Sequence, residues 1–99
     1  MALEIVWSET AREDLRDIVQ YISLDDLDAA RRLADRIVAR IEAASEFPLS
    51  NRSVPEKHDE SIREVILSPY RIVYFVKAGG EAIQILRIWH AARGIPDIG

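Results

Sequence analysis

The segment Ser68–Val76, SPYRIVYFV, is largely apolar apart from one arginine, Arg71. Valine, isoleucine, tyrosine and phenylalanine in such a run are typical of a buried strand. A guanidinium keeps its charge at any ordinary pH, so Arg71 must reach water, pair with an acid or bind an anionic ligand. Anion binding at Arg71 is therefore the first chemistry that this sequence suggests.

The turn after this strand indicates where the histidine near the C-terminus lies. Gly79-Gly80 is typical of a two-residue β-hairpin turn. Counting outward from that turn places Arg71 opposite Ile88, with His90 as its diagonal neighbour on the same sheet face. The hairpin therefore predicts that Arg71 and His90 lie within reach of each other.

The turn before the strand adds a carboxylate. If Ser68-Pro69 is also a two-residue turn, Arg71 lies opposite Ile66 and Glu64 is the other diagonal neighbour. A proline in the second position of that turn instead suggests a longer loop or a cis bond. This register predicts Glu64, Arg71 and His90 on one face of the sheet. The opposite face then holds Arg63, Arg87 and Trp89.

Each of these residues also has a purely structural explanation. Arg71 pairing with Glu64 fits the sequence as well as anion binding does, and a lone histidine at a strand end is commonly a hydrogen-bonded structural residue. The other histidine, His58, lies in a loop with no partner four residues away, so no metal site is predicted. The sequence has no glycine-rich phosphate loop and no nucleophile elbow, and we expect no cofactor.

Charge limits the kinds of partner. The chain has 99 residues and a formal net charge of −4, with 13 basic and 17 acidic residues. Residues 1–49 hold 11 acidic and 6 basic side chains, whereas residues 50–99 hold 6 acidic and 7 basic ones. A protein that binds nucleic acid nonspecifically usually carries a clear basic excess. Any nucleic-acid contact of this chain would therefore be local.

The cellular compartment follows from what the sequence lacks. The chain contains no cysteine, which fits a reducing environment. It has neither a signal-peptide pattern nor an apolar run of the roughly 20 residues that span a membrane. We therefore expect a cytoplasmic protein without membrane contact.

The order of elements predicts one α+β domain over residues 1–99. A short strand ends at Trp7, and Ser8 is a plausible helix N-cap. Two amphipathic helices follow, the second beginning after Asp26 or Asp28 and ending before Phe47-Pro48. After a loop, three strands are predicted at Ile62–Leu67, Tyr70–Lys77 and Ala82–Trp89. The order β-α-α-β-β-β predicts a helical hairpin packed on a mainly antiparallel four-stranded sheet.

Four arginines on the second predicted helix lie largely away from its apolar face. Two of them form i,i+4 spacings with acids, Asp28 with Arg32 and Arg31 with Asp35, which favour ion pairs. We interpret this side as a solvated face in preference to a binding surface.

A set of residues along nearly the whole chain resembles the RelE/ParE superfamily, the toxins of type II toxin–antitoxin systems, and within it the ParE or plasmid stabilisation branch. The set comprises the strand ending at Trp7, Ala11, Asp14-Leu15, Ile18, Tyr21-Ile22, Phe47-Pro48, Arg52, Pro55-Glu56, Arg63-Glu64, Tyr70–Tyr74 and His90–Arg93. No single motif carries the resemblance, which rests on their order and spacing. The superfamily fold is β-α-α-β-β-β, in agreement with the element order above.

The resemblance implies one of two activities. RelE-like members are metal-free ribonucleases that cut messenger RNA on the ribosome, a chemistry that needs a base, an acid and cations around the phosphate. For that activity the resemblance implies Arg71, His90 and Glu56 as catalytic residues, with Glu64 as an alternative base. ParE-like members bind and poison DNA gyrase, without established catalysis of their own.

Two observations favour gyrase poisoning. The acidic net charge is unlike that of ribonuclease relatives, which tend to be strongly basic. The segment His90–Arg93, HAAR, resembles ParE, whereas several RNA-cutting relatives have an aromatic residue after the histidine. For target binding we predict the side chains Arg63, Arg71, His90 and Arg93. An inactive toxin that only pairs with its antitoxin and helps to repress its operon is a third alternative.

The resemblance also implies an antitoxin as partner. A sheet with apolar residues on both faces cannot easily be covered on both by two helices. The face that carries Arg71, or the groove beside the helical hairpin, is thus a candidate dock for an antitoxin segment that folds on binding. For the assembly we expect a homodimer or a heterotetramer with the antitoxin. The predicted contacts are Ile66, Val73, Phe75, Leu86 and Ile88. Coverage of this face by the chain's own tail or by a second copy is the alternative.

Overall fold

The computed structural model describes residues 2–98 and has the predicted element order. Two helices pack on one four-stranded sheet, and a short 3-10 helix, Ala91–Arg93, follows the last strand. The elements are β1 (Glu4–Trp7), α1 (Glu9–Ser23), α2 (Leu27–Glu46), β2 (Ile62–Leu67), β3 (Tyr70–Val76) and β4 (Ala82–His90).

Side-chain caps begin both helices where the sequence predicts. Ser8 Oγ accepts the Ala11 N–H at 3.0 Å at the start of α1, and it also donates to the Leu86 carbonyl of β4. Asp26 Oδ1 accepts the Ala29 N–H at 3.0 Å at the start of α2. Each cap satisfies a backbone donor that a helix leaves open in its first turn. The Ser8 contact also ties α1 to the sheet.

The sheet is mixed, in the strand order β1-β4-β3-β2. β1 pairs with β4 in parallel, while β2–β3 and β3–β4 are antiparallel. One face of the sheet packs against the helices, and the core between them includes Ile37 and Ile41 of α2 and Ile72, Tyr74 and Ile85 of the sheet. The predicted fold class is therefore confirmed.

The predicted pairing of β3 with β4 is correct near the hairpin and wrong at its far end. Between Val73 and Tyr74 the register shifts by one residue, so Arg71 pairs with Trp89 and not with Ile88. A β-bulge adds one residue to one strand, and beyond it each side chain exchanges its face. His90 and Ile88 therefore lie on the helix side of the sheet, opposite to Arg71.

The face of the sheet that points away from the helices, here called the far face, is partly covered by the chain itself. Val73 and Trp89 point to this side and are nevertheless buried. At the edge of β2, Val54 donates to the Ile62 carbonyl and the Glu64 N–H donates to the Arg52 carbonyl, so the loop lies along that strand. The C-terminal segment packs there too, with Pro96 buried and the Gly94 carbonyl accepting from Trp89 Nε1.

Within residues 2–98, none of the helices has the length and hydropathy to cross a bilayer.

Candidate functional site

Arg71 lies at the centre of a four-residue network on the far face. Its Nε donates to Glu64 Oε1 at 2.6 Å, and its Nη1 and Nη2 donate to the two carboxylate oxygens of Glu56 at 3.1 and 2.8 Å. Arg52 pairs with the remaining oxygen of Glu64. The Glu64 side chain is 0% exposed and that of Arg71 is 9% exposed, whereas that of Arg52 is 58% exposed. Arg71 is thus held by two carboxylates.

The two carboxylates change the electrostatics of the network. The hydrogen bonds that Arg71 donates to Glu56 and Glu64 raise the pKa of Arg71, against the opposite effect of desolvation. The bidentate hydrogen bond from Arg71 lowers the pKa of Glu56 below its ordinary value. Because all three nitrogens of the guanidinium already donate to carboxylates, the fork that would bind a phosphate or a partner carboxylate is occupied.

His90 lies on the other side of the sheet. Its Nδ1 accepts the Ala92 N–H at 3.1 Å and so caps the 3-10 helix. The Tyr70 ring stands edge-on to the imidazole, with the ring centroids 5.4 Å apart. His90 thus has a structural contact at Nδ1 and a ring contact with Tyr70.

A groove with a volume of about 350 Å³ opens beside His90. The outer side of α1 forms one wall, and the ends of β3 and β4 form the floor. We call it the His90 groove. Its lining residues are Asp14, Asp17, Ile18, Tyr21, Ile22, Tyr70, Ile88, His90 and Arg93. The Tyr21 ring is 76% exposed at the rim, so it is free to contact a partner.

The four predicted target-binding residues divide between different places. His90 and Arg93 meet in the His90 groove, and the Arg93 guanidinium lies 4.1 Å from the centre of the Trp89 ring. Arg63 instead donates to the Glu60 and Asn51 carbonyls at 2.7 and 2.9 Å, so it anchors the loop before β2.

The three residues predicted for ribonuclease catalysis are not assembled. Glu56 and Arg71 bind each other on the far face, while His90 lies on the helix side. The register shift at the bulge is the reason, because it moves His90 to the face opposite to Arg71. The predicted neighbourhood of Arg71 and His90 is therefore wrong, whereas that of Arg71 and Glu64 is confirmed.

The predicted antitoxin contacts do not form one exposed patch. Ile66 is exposed at the edge of the sheet, and Phe75 and Leu86 are half-buried. Val73 is buried on the far face, and Ile88 is buried in the core on the helix side. Placing Ile88 on the Arg71 face was wrong for the same register reason as His90.

Several groups of the site were not predicted from the sequence. Asp14 accepts two hydrogen bonds from the Arg87 guanidinium, at 2.8 and 2.9 Å, and a third from the Ile88 N–H at 3.0 Å. Asp14 thereby accepts a backbone N–H of β4 at a position where β1 no longer pairs with that strand. Only the resemblance pointed to Tyr21, although an aromatic residue beside the apolar face of the first helix was a usable signal.

Comparison with protein families gives one match along most of the chain. Residues 5–95 match the family model described as the ParE toxin of the type II toxin–antitoxin system parDE. The chain is 35% identical to the Y4kP protein of Sinorhizobium fredii, over 95% of this chain and 94% of that protein. It is also 35% identical to Toxin RelE2 of Caulobacter vibrioides, over 91% of this chain and 97% of that toxin.

Solved structures of toxin–antitoxin proteins also match the chain. A chain of the chromosomal ParDE system from P. aeruginosa matches with a TM-score of 0.71 and 25% identity, over 90% of this chain and 96% of that one. The free state of an E. coli RelE variant matches with a TM-score of 0.63 and 17% identity, over 95% and 88% of the two chains. The second likeness concerns the fold alone.

Proposed function

The chain belongs to the ParE toxin family of type II toxin–antitoxin systems, and on this premise we propose that it arrests growth by binding and poisoning DNA gyrase. A cognate antitoxin neutralises it. The family match over residues 5–95 supports the toxin assignment. The solved relative from P. aeruginosa is a ParDE system, which supports an antitoxin partner. Gyrase acts on the chromosome, so this function would be carried out in the cytoplasm.

The observation that carries the choice of gyrase is the separation of Arg71 from His90. A phosphodiester cleavage site needs its acid, its base and its cation around one reacting phosphate. Here the Arg71 fork is filled by Glu56 and Glu64, and His90 lies across the sheet. A protein that binds its target without catalysis does not need these groups close together. The geometry therefore favours a protein that acts by binding its target.

The His90 groove is the surface that we assign to the target. It combines the imidazole of His90 with aromatic rings and a guanidinium, and the last two are side-chain types that dominate protein interfaces. Tyr21 and Tyr70 supply apolar area, while His90 and Arg93 supply hydrogen-bond donors. Arg63 and Arg71 take no part, because both guanidinium groups are engaged within the chain.

A gyrase assay tests this proposal. Purified protein added to gyrase and relaxed plasmid should inhibit supercoiling and should trap cleaved DNA complexes. The cognate antitoxin should relieve both effects. Unchanged supercoiling at saturating protein, together with growth arrest in cells, would reject gyrase as the target. No growth arrest at all, with an intact antitoxin complex, would assign the chain to the inactive toxins.

Ribosome-dependent cleavage of messenger RNA is the second candidate. Its support is the 35% identity to the relative named Toxin RelE2. For this activity Glu56 would have to leave Arg71, and the ribosome would have to supply the missing groups. Primer extension on messenger RNA from arrested cells distinguishes the two candidates, because cuts at fixed codon positions arise only from the ribonuclease.

A further inference from the structure

We propose that the side of α2 next to β2 is the docking surface for an acidic segment of the antitoxin. The proposal rests on the proposed function, because it assumes that the chain has an antitoxin. We call this surface the α2 flank and define it by Arg32, Arg36, Arg40 and Phe47. The α2 flank is separate from the His90 groove. Its charge is positive, and the proposed partner segment is negatively charged.

The three arginines of the flank form one row. They are spaced four residues apart, and side chains at this spacing lie above one another on a helix. All three residues are exposed. Arg40 fixes where the row faces, because its Nη1 donates to the Ile66 carbonyl at the end of β2, at 3.3 Å. The row therefore covers roughly 12 Å of helix and ends, at Arg40, beside the edge strand β2.

The positive charges at the centre and the end of this row, Arg36 and Arg40, are not neutralised by acids of the helix. Neither Arg36 nor Arg40 has an acidic residue three or four positions away, so the row contains two successive like-charge pairs. Like charges at this spacing destabilise a helix. A row that opposes folding, in a chain with a net charge of −4, is better explained by a partner than by the stability of the helix.

The predicted ion pairs of this helix also leave the row open. The sequence predicts Asp28 with Arg32 and Arg31 with Asp35, and neither pair is formed. The ion pairs of the structure instead join Arg52, Arg71 and Arg87 to Glu56, Glu64 and Asp14. Arg32 and Arg36 thus keep their donors for an external acid.

An apolar residue ends the flank. Phe47 follows α2, with its N–H bonded to the Ala43 carbonyl, and it is 66% exposed. Leu49, two residues later, is exposed as well. A phenyl ring of this size in water is unfavourable, so its burial would add hydrophobic stabilisation to the charged contacts. The partner segment should therefore carry acids along the row and an apolar side chain at its end.

The charge of the molecule favours a protein partner over a nucleic acid. The N-terminal half, which contains α2, carries a net charge of −5, and a polyanion would be repelled by the acids around the row. An acidic peptide segment places only a few carboxylates against the three arginines. The far face, the other candidate for antitoxin binding, is already covered in part by the chain's own loop and tail.

Arg36→Glu tests the flank without threatening the fold. A glutamate at this position lies four residues from both Arg32 and Arg40, so two repulsive pairs become attractive. We expect the Tm to be unchanged or to rise by about a few degrees. The affinity for the antitoxin encoded in the same operon, measured by calorimetry, should fall about 100-fold. In cells, the variant should arrest growth and should no longer be rescued.

Arg16→Glu is the matched control. Arg16 is exposed on α1, has Arg12 four residues before it, and undergoes the same change of charge. Its antitoxin affinity should stay within about twofold of wild type at physiological salt, where distant charges are screened. Equal losses of antitoxin affinity in both variants, or no loss in Arg36→Glu, would contradict antitoxin docking at the α2 flank. The assignment of the chain as a toxin would be unaffected.

Two further results would also count against the flank. Binding of a 20-base-pair DNA duplex to the wild type at physiological salt, abolished by Arg36→Glu, would assign the row to nucleic acid. A wild-type chain that does not bind the operon's antitoxin at all would overturn the proposed function together with this inference. The calorimetric titration of the wild type therefore separates the two failures.

Discussion

At the scale of single residues, Arg71 shows how a charged side chain is accommodated at the start of an apolar strand. Its guanidinium has a hydrogen-bond acceptor for each nitrogen, and within residues 2–98 none of the buried side-chain nitrogen or oxygen atoms lacks a partner. Buried charges are tolerated only under that condition. The first role of Arg71 is therefore to hold the loop that carries Glu56 against the sheet.

Arg71→Ala should accordingly destabilise the protein. The substitution leaves the buried Glu64 carboxylate with only the exposed Arg52, and breaking such a pair costs roughly 3–5 kcal/mol of unfolding free energy. Urea denaturation measures the loss. Arg52→Ala, which removes a largely exposed partner, should cost less than about 1 kcal/mol. A variant at Arg71 that keeps wild-type stability and yet loses toxicity would restore Arg71 as a functional residue.

The Glu56–Arg71 contact should make stability depend on pH. Because Arg71 holds the pKa of Glu56 below 4.5, its ordinary value, the folded state prefers the carboxylate. The stabilisation is complete above about pH 4.5 and disappears as the pH falls through the lowered pKa. The difference in unfolding free energy between wild type and Glu56→Gln should shrink from about pH 6 to about pH 3. Glu60→Gln, which removes an exposed carboxylate, should show no such trend.

At the scale of elements, the loop between α2 and β2 is attached to the sheet at its beginning. The buried Tyr74 hydroxyl donates to the Pro48 carbonyl at 2.5 Å and accepts from Asn51 Nδ2 at 3.2 Å. Arg63 binds the carbonyl of the same Asn51 from β2. The loop is therefore positioned by the strands that it covers.

Tyr74→Phe should loosen this attachment. The substitution removes one donor and one acceptor while keeping the ring, so the Pro48 carbonyl and the Asn51 amide lose their partner. The expected cost is about 1–2 kcal/mol of unfolding free energy. Amide hydrogen exchange should increase in residues 49–61 before it does so in α1. Tyr21→Phe, at an exposed hydroxyl, should change neither quantity.

Sequence patterns predicted the elements well, because each has a local signal. Ser8 and Asp26 cap the helices, and periodic apolar residues form the face that meets the sheet. The bulge in the β3–β4 pair has no such signal, since neither strand contains a glycine or a proline inside it. The sequence does not predict this one-residue shift in the pairing register. The shift places His90 on the face of the sheet opposite to Arg71, so the two residues do not form one site.

At the scale of the whole molecule, the two proposed surfaces lie apart. The His90 groove is formed by α1 and the ends of β3 and β4, whereas the α2 flank meets the sheet at the end of β2. The groove could not be predicted from sequence spacing alone, because α1 and the ends of β3 and β4 are distant in the chain. The arginine row of α2 is visible in the sequence, whereas its position next to β2 is not. If both assignments are correct, toxicity and antitoxin binding can be changed independently.

Tyr21→Ala, a substitution in the His90 groove, tests whether toxicity can be changed without changing antitoxin binding. An exposed tyrosine at an interface commonly contributes about 2 kcal/mol to binding, so inhibition of gyrase should require roughly 30-fold more protein. Antitoxin affinity should be unchanged. Gln20→Ala, at the neighbouring exposed position of α1, serves as the control and should inhibit like wild type. Loss of antitoxin binding in Tyr21→Ala would mean that both partners share the groove.

The strand order has a consequence for synthesis of the toxin. β1 is the first strand to leave the ribosome, yet its sheet partner is β4, the last of the four strands to be translated. A nascent chain that ends before Ala82 has no neighbour for β1 and no floor for the groove beside His90. The protein therefore cannot acquire its proposed binding surface part-way through translation, and an interrupted message would yield harmless fragments.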